Sequence, residues 1–111
     1  MKEKKAIIFG GQGTQHTGMG YRLYTRFDYV REIYEMASNI AGFDVSKKCF
    51  DIPQEEWESD PVCSQMCIIA VELSLYKVFS KTYSGTEISS VAGFSLGEYA
   101  ALVAAKVIDI E

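Results

Sequence analysis

The chain has 111 residues, 48% hydrophobic and 23% charged, with a net charge of −4. That length bounds it at one small domain with room for a core, and the mild acidity speaks against nucleic acid or an anionic membrane as partner. One histidine (His16) and three cysteines (Cys49, Cys63, Cys67) make a zinc site unexpected; the cysteines read as core thiols of a reducing, cytoplasmic compartment.

In chain order, Ala6, Ile7, Ile8 and Phe9 form a short continuous apolar run, as expected of a strand buried on both faces of a parallel sheet. No signal peptide is expected ahead of it, since the charged residues 1–5 lead straight into the strand. A glycine-rich loop, Gly10-Gly-Gln-Gly-Thr-Gln15, follows. It has the backbone character of an anion-binding turn, but neither the third glycine of a dinucleotide site nor the lysine of a P-loop. Residues 21–41 carry apolar side chains at helical spacing, as one amphipathic helix or a short helix plus a longer one, and Gly42 is the expected C-cap. Residues 51–60 are acidic, with a short helix expected to start near Pro53. A long helix should start at Asp60 and Pro61 and run to about residue 81. It is apolar nearly all round and therefore expected against the sheet. No apolar run is read as long enough to span a membrane. Residues 81–87 are the loop back.

Residues 88–102 then read strand, sharp turn, helix. Ile88, Val91 and Ala92 lead in; Gly93, Ser95 and Gly97 make G-x-S-x-G; strong helix formers follow from Leu96. This is the layout of a nucleophile elbow, in which a serine sits on a tight strand-to-helix turn that side chains at the flanking positions would obstruct. The N–H of Leu96 can then donate to an oxyanion formed when Ser95 attacks a carbonyl. His16 comes before the serine, the wrong chain order for the base of this fold. The chain closes with Asp109 placed as the N-cap of a further helix. Two strands alone make an incomplete sheet.

Phe9-Gly-Gly-Gln-Gly-Thr-Gln15 resembles the F-P-G-Q-G-[ST]-Q signature of malonyl-CoA:acyl-carrier-protein transacylases and polyketide synthase acyltransferase domains. The stretch from Gly93 to Leu102 is similar to their G-H-S-L-G-E-[YF]-A-A-L, and the segment from Ser64 to Tyr76 to their helix with an active-site glutamine. The resemblance implies a fold class: α/β, the N-terminal part of an α/β-hydrolase-like parallel sheet covered by helices, as an incomplete domain. Residues 1–111 would be the first segment of the large subdomain, without the ferredoxin-like subdomain or the C-terminal half that bears the catalytic histidine and the malonyl-binding arginine. It further implies Ser95 as acyl-accepting nucleophile and the backbone N–H groups of Gln12 and Leu96 as the oxyanion hole. Gln65, Phe94, Gly93 and Gly97 would lie at the substrate pocket. The substrate would be malonyl-CoA or another acyl-CoA, with no tightly bound cofactor. The partners would be an acyl carrier protein and the missing C-terminal half of the same enzyme. Two departures stand out: Gly10 replaces the proline, and Phe94 replaces the histidine beside the serine, which puts acyl selection in question. The rival readings are a serine hydrolase such as a thioesterase, built on the same elbow, and a catalytically silent fragment that only packs or binds.

Overall fold

A computed structural model describes residues 5–11, 18–51, 53, 55–56, 59–106 and 108–110. Its elements run β1 (Lys5–Phe9), α1 (Tyr21–Arg26), α2 (Asp28–Ala41), α3 (Val45–Asp51), α4 (Pro61–Thr82), β2 (Ile88–Gly93) and α5 (Gly97–Ala104).

The helical layer follows from local signals. Residues 21–41 divide at Phe27, whose backbone is extended (φ −125, ψ 124), so the short-plus-long alternative holds. Val30, Ile33, Tyr34 and Ala37 form the buried stripe of α2. Gly42 ends it in the left-handed conformation (φ 82), its N–H donating to the Ser38 carbonyl at 2.9 Å. Helix α3 was not anticipated. The Asp44 carboxylate caps it, accepting from Lys47 N–H at 3.2 Å and from the Ser46 hydroxyl at 2.6 Å. Those hydrogen bonds, led by Ser46, hold its carboxyl below the usual range. Asp60 caps α4 in the same way, accepting from Cys63 N–H at 3.1 Å, with Pro61 in the first turn. Of the short helix expected after Pro53, residues 55 and 56 are helical; Ile52, Gln54, Trp57 and Glu58 lie outside the described residues.

Tyr34 centres the helical core. Its ring lies 5.3 Å from Tyr24 and 5.6 Å from Phe50, and burial pushes its phenol well above the ordinary range. Cys49, Cys63 and Cys67 are free and buried in the same cluster, as core thiols should be. Burial raises the Cys63 thiol to about 11, which keeps it protonated and inert near neutrality.

Two expectations are corrected. The strands β1 and β2 pair in parallel, Ile7 with Val91 and Phe9 with Gly93, but among the described residues helices cover only one face of this sheet. Phe9, partly buried Ile7 and Val91 pack toward Leu73, Ala100 and Ala101, whereas Ala6, Ser90 and Ala92 are exposed and Ile8 is 78% exposed. A continuous apolar run states hydrophobicity and says nothing of which face finds a partner. Helix α4 is also less simply placed than expected. Cys67, Ile68 and Ala70 turn to the helical core, Leu73 and Tyr76 turn to the sheet, and Val62 and Leu75 stay exposed. Its 22 residues are moreover long and apolar enough to cross a bilayer (mean hydropathy 1.5 over 18 residues), with 44% of that window buried within the fold.

Candidate functional site

The site is built where both strands end. Phe94 N–H donates to the Phe9 carbonyl at 2.9 Å, carrying the β1–β2 pairing one residue past Gly93. The chain then reverses. Ser95 takes φ 53, a left-handed conformation that costs a non-glycine residue roughly 1 kcal/mol or more. Two hydrogen bonds hold the reversal: Gly97 N–H donates to the Phe94 carbonyl and Glu98 N–H to the Ser95 carbonyl, both at 3.0 Å. Helix α5 starts at once, with Glu98 favourably placed in its first turn.

The glycines are required by backbone contact. A Cβ on Gly93 would lie 2.2 Å from the Gly97 carbonyl oxygen, and one on Gly97 would lie 2.4 Å from the Phe9 oxygen. Gly11, two residues past β1, meets the same corner, since a Cβ there would stand 2.4 Å from the Phe94 oxygen. The end of β1, Gly11 and the serine turn are thus packed backbone against backbone.

Ser95 is exposed on this corner, and its hydroxyl makes no hydrogen bond to another described residue. Leu96 is helical (φ −57, ψ −32), and its N–H is unused among the described residues while its side chain packs on the helical core. Phe94 is 74% exposed, its ring beside Gly11. Gln65 is exposed in the second turn of α4, with no hydrogen bond to Ser95 among the described residues. Gln12 and His16 lie outside the described residues. No group of three or more His, Cys, Asp or Glu side chains among the described residues is arranged to hold a metal ion.

A hollow of about 750 Å³ lies over α1 to α3 among Tyr24, Arg31, Glu35 and Asp44; Ser95 is not in its lining. A second, about 560 Å³, lies beside β1 and has Glu72 in its lining, a residue to which no motif of the sequence assigns a role. Its Oε2 is buried with no hydrogen-bond partner among the described residues, and burial pushes its carboxyl up to about 7. The hint in the sequence is that Glu72 is the one acidic residue of this helix, within its most apolar stretch.

The pattern of the acyl transferase domain family matches residues 6–111. The chain belongs to that family. Its similarity to the malonyl CoA-acyl carrier protein transacylase of Haemophilus influenzae is 34% identity over 98% of this chain and 35% of that one. For the Bacillus subtilis transacylase the figures are 36%, 96% and 26%, and for a non-reducing polyketide synthase of Arthroderma otae 35%, 92% and 6%. Among solved structures, a malonyl-transacylase in complex with a type II polyketide synthase acyl-carrier protein superposes with a TM-score of 0.87. It is 36% identical and is matched over 98% of this chain and 34% of its own. The transacylase from Streptococcus pneumoniae gives 0.85 at 32% identity, over 97% and 34%. The chain therefore spans about a third of the Haemophilus influenzae transacylase and of the two solved transacylases, and less of the other relatives; within the matched part its fold follows that of the solved structures.

Proposed function

We propose that this chain carries the nucleophile of an acyltransferase that moves a malonyl or related acyl group from coenzyme A to an acyl carrier protein, in fatty acid or polyketide synthesis. The observation that carries the reading is Ser95 at φ 53 between two glycines that admit no Cβ, at the C-terminal ends of paired parallel strands. That is a nucleophile elbow on an α/β-hydrolase-like sheet. Strain of this kind persists only where its surroundings enforce it, and here it presents a hydroxyl to solvent at a helix start.

Ser95 Oγ attacks the thioester carbonyl of the acyl-CoA. The oxyanion takes hydrogen bonds from Leu96 N–H and, from the glycine-rich loop, Gln12 N–H; each such donor is worth roughly 3 kcal/mol to the transition state. The carbon–sulfur bond breaks, coenzyme A leaves as the protonated thiol, and an acyl-serine ester remains. The phosphopantetheine thiol of the carrier protein attacks that ester and restores the serine hydroxyl. Gly93 and Gly97 keep the corner open to substrate, and Phe94 and Gln65 line the acyl pocket. No tightly bound cofactor takes part. The base that deprotonates Ser95 comes from polypeptide corresponding to the two thirds of the relatives that this chain does not span. The 111 residues alone should therefore not turn over, since general-base help is worth roughly 10²–10⁴ in rate. The cytoplasm is the proposed compartment.

A chimera tests this, with residues 1–111 replacing the matching segment of the Haemophilus influenzae transacylase. After incubation with radiolabelled malonyl-CoA, peptide mapping should find label on Ser95, chase it into carrier protein, and find none in the Ser95→Ala form. Label on another residue overturns the assignment, and release of free malonate in place of transfer makes the chain a hydrolase.

A further inference from the structure

Three thiols meet inside the helical layer. Cys49 comes from α3, whereas Cys63 and Cys67 come from α4. All three are free and lie in one apolar cluster with Tyr34, where the packing of this chain's own helices buries them completely or nearly so. Side-chain contact with Cys49 is the foremost influence on the Cys67 thiol and, with burial, pushes it well above the ordinary thiol range. Cys63 also touches Cys67, from one turn earlier on the same helix. The two contacts differ in what they allow. A disulfide needs Cβ atoms about 3.5–4.5 Å apart, whereas i,i+4 neighbours on a helix hold theirs about 5–6 Å apart. Cys49 meets Cys67 from a different helix and is free of that restriction.

We propose that Cys49 and Cys67 form an oxidation site, joined by hydrogen peroxide into a disulfide that pins α3 to α4 while Cys63 stays a thiol. Thiols buried in apolar surroundings are inert, so the reaction begins when α3, a helix of seven residues, opens locally. The Cys49 sulfur gives up its proton and attacks one peroxide oxygen; the O–O bond breaks, water leaves and a sulfenic acid remains. When α3 closes again, the Cys67 sulfur attacks the sulfenic sulfur. The S–S bond forms, the S–O bond breaks and a second water leaves. Both thiol hydrogens end in water, and the two electrons lost by the sulfurs reduce the peroxide. The crosslink also bears on the segment from Gly10 to Gln15, because Gly18 N–H, three residues beyond it, donates to the Cys49 carbonyl at 2.6 Å. The proposal is independent of any chemistry at Ser95.

Peroxide treatment of the 111-residue chain tests it, followed by alkylation of the remaining thiols and peptide mapping without reduction. Cys49–Cys67 should be the principal disulfide, with Cys63 alkylated, and dithiothreitol should reverse it. Cys63→Ala should form the same crosslink. In concentrated urea the fold no longer selects the pair, and the shortest loop, Cys63–Cys67, should take over. Deuterium exchange at Gly18 and across α3 should slow by about tenfold or more in the oxidised chain. Treatment that yields no disulfide, one pairing pattern with and without urea, or exchange unmoved by the crosslink would each overturn the proposal.

Discussion

The corner around Ser95 and the helical layer of α2 to α4 are held by different means. At the corner, backbone meets backbone: Gly93 against Gly97, Gly97 against Phe9, Gly11 against Phe94. In the helical layer, side chains such as Tyr34, Ile68 and Val30 fill the space between elements. Side chains can shift rotamer and share a lost volume among neighbours, whereas a carbonyl fixed by strand pairing cannot move aside. The first arrangement fixes one geometry for a reactive group. The second supplies most of the buried apolar area.

The largest effect expected from this contrast is at Gly97. Adding one carbon there, Gly97→Ala, should cost about 3 kcal/mol or more, because the Cβ would fall 2.4 Å from the Phe9 oxygen and 2.6 Å from the Gly10 oxygen. Urea denaturation followed by circular dichroism measures it, and a loss under about 1 kcal/mol would show the corner as pliable as a core. Removing one carbon from the helical layer should matter less. Ile68→Val, at a site 2% exposed, should cost about 1 kcal/mol in the same assay. A cost equal to that of Gly97→Ala would erase the distinction.

The smallest effect is a pH dependence at Glu72, read in dilute chain. Its carboxyl is raised by burial from 4.5 to about 7, so between these values the folded state binds more protons than the unfolded. Its contribution is fully present below about 4.5 and is lost as pH rises through about 7. The group is partly exposed, and solvent screening should hold the loss below about 1 kcal/mol. Glu72→Gln should therefore flatten the stability profile across that window, as unfolding midpoints at several pH values would show. A parent whose stability rises through the window would refute the unpaired carboxylate.

The sequence by itself determined what adjacent residues enforce. The spacing of Gly93, Ser95 and Gly97, the caps at Gly42 and Asp60, and the apolar stripe of α2 are local constraints on φ, on orphan N–H groups and on one helix face, so they are written within a few positions. The family signatures are legible for the same reason. Helix α3 was missed although its cap, Asp44, is equally local, because seven residues carry too short a period to separate from a loop. Only the tertiary structure decided the rest: that among the described residues one face of the sheet stays open at Ile8, that α4 divides its apolar surface between helices and strands, that Gly11 is pressed against Phe94, and that the Glu72 Oε2 is buried with no hydrogen-bond partner among the described residues. Each depends on which distant segment arrives at a surface, and hydrophobicity has magnitude along the chain but no direction until that partner is in place.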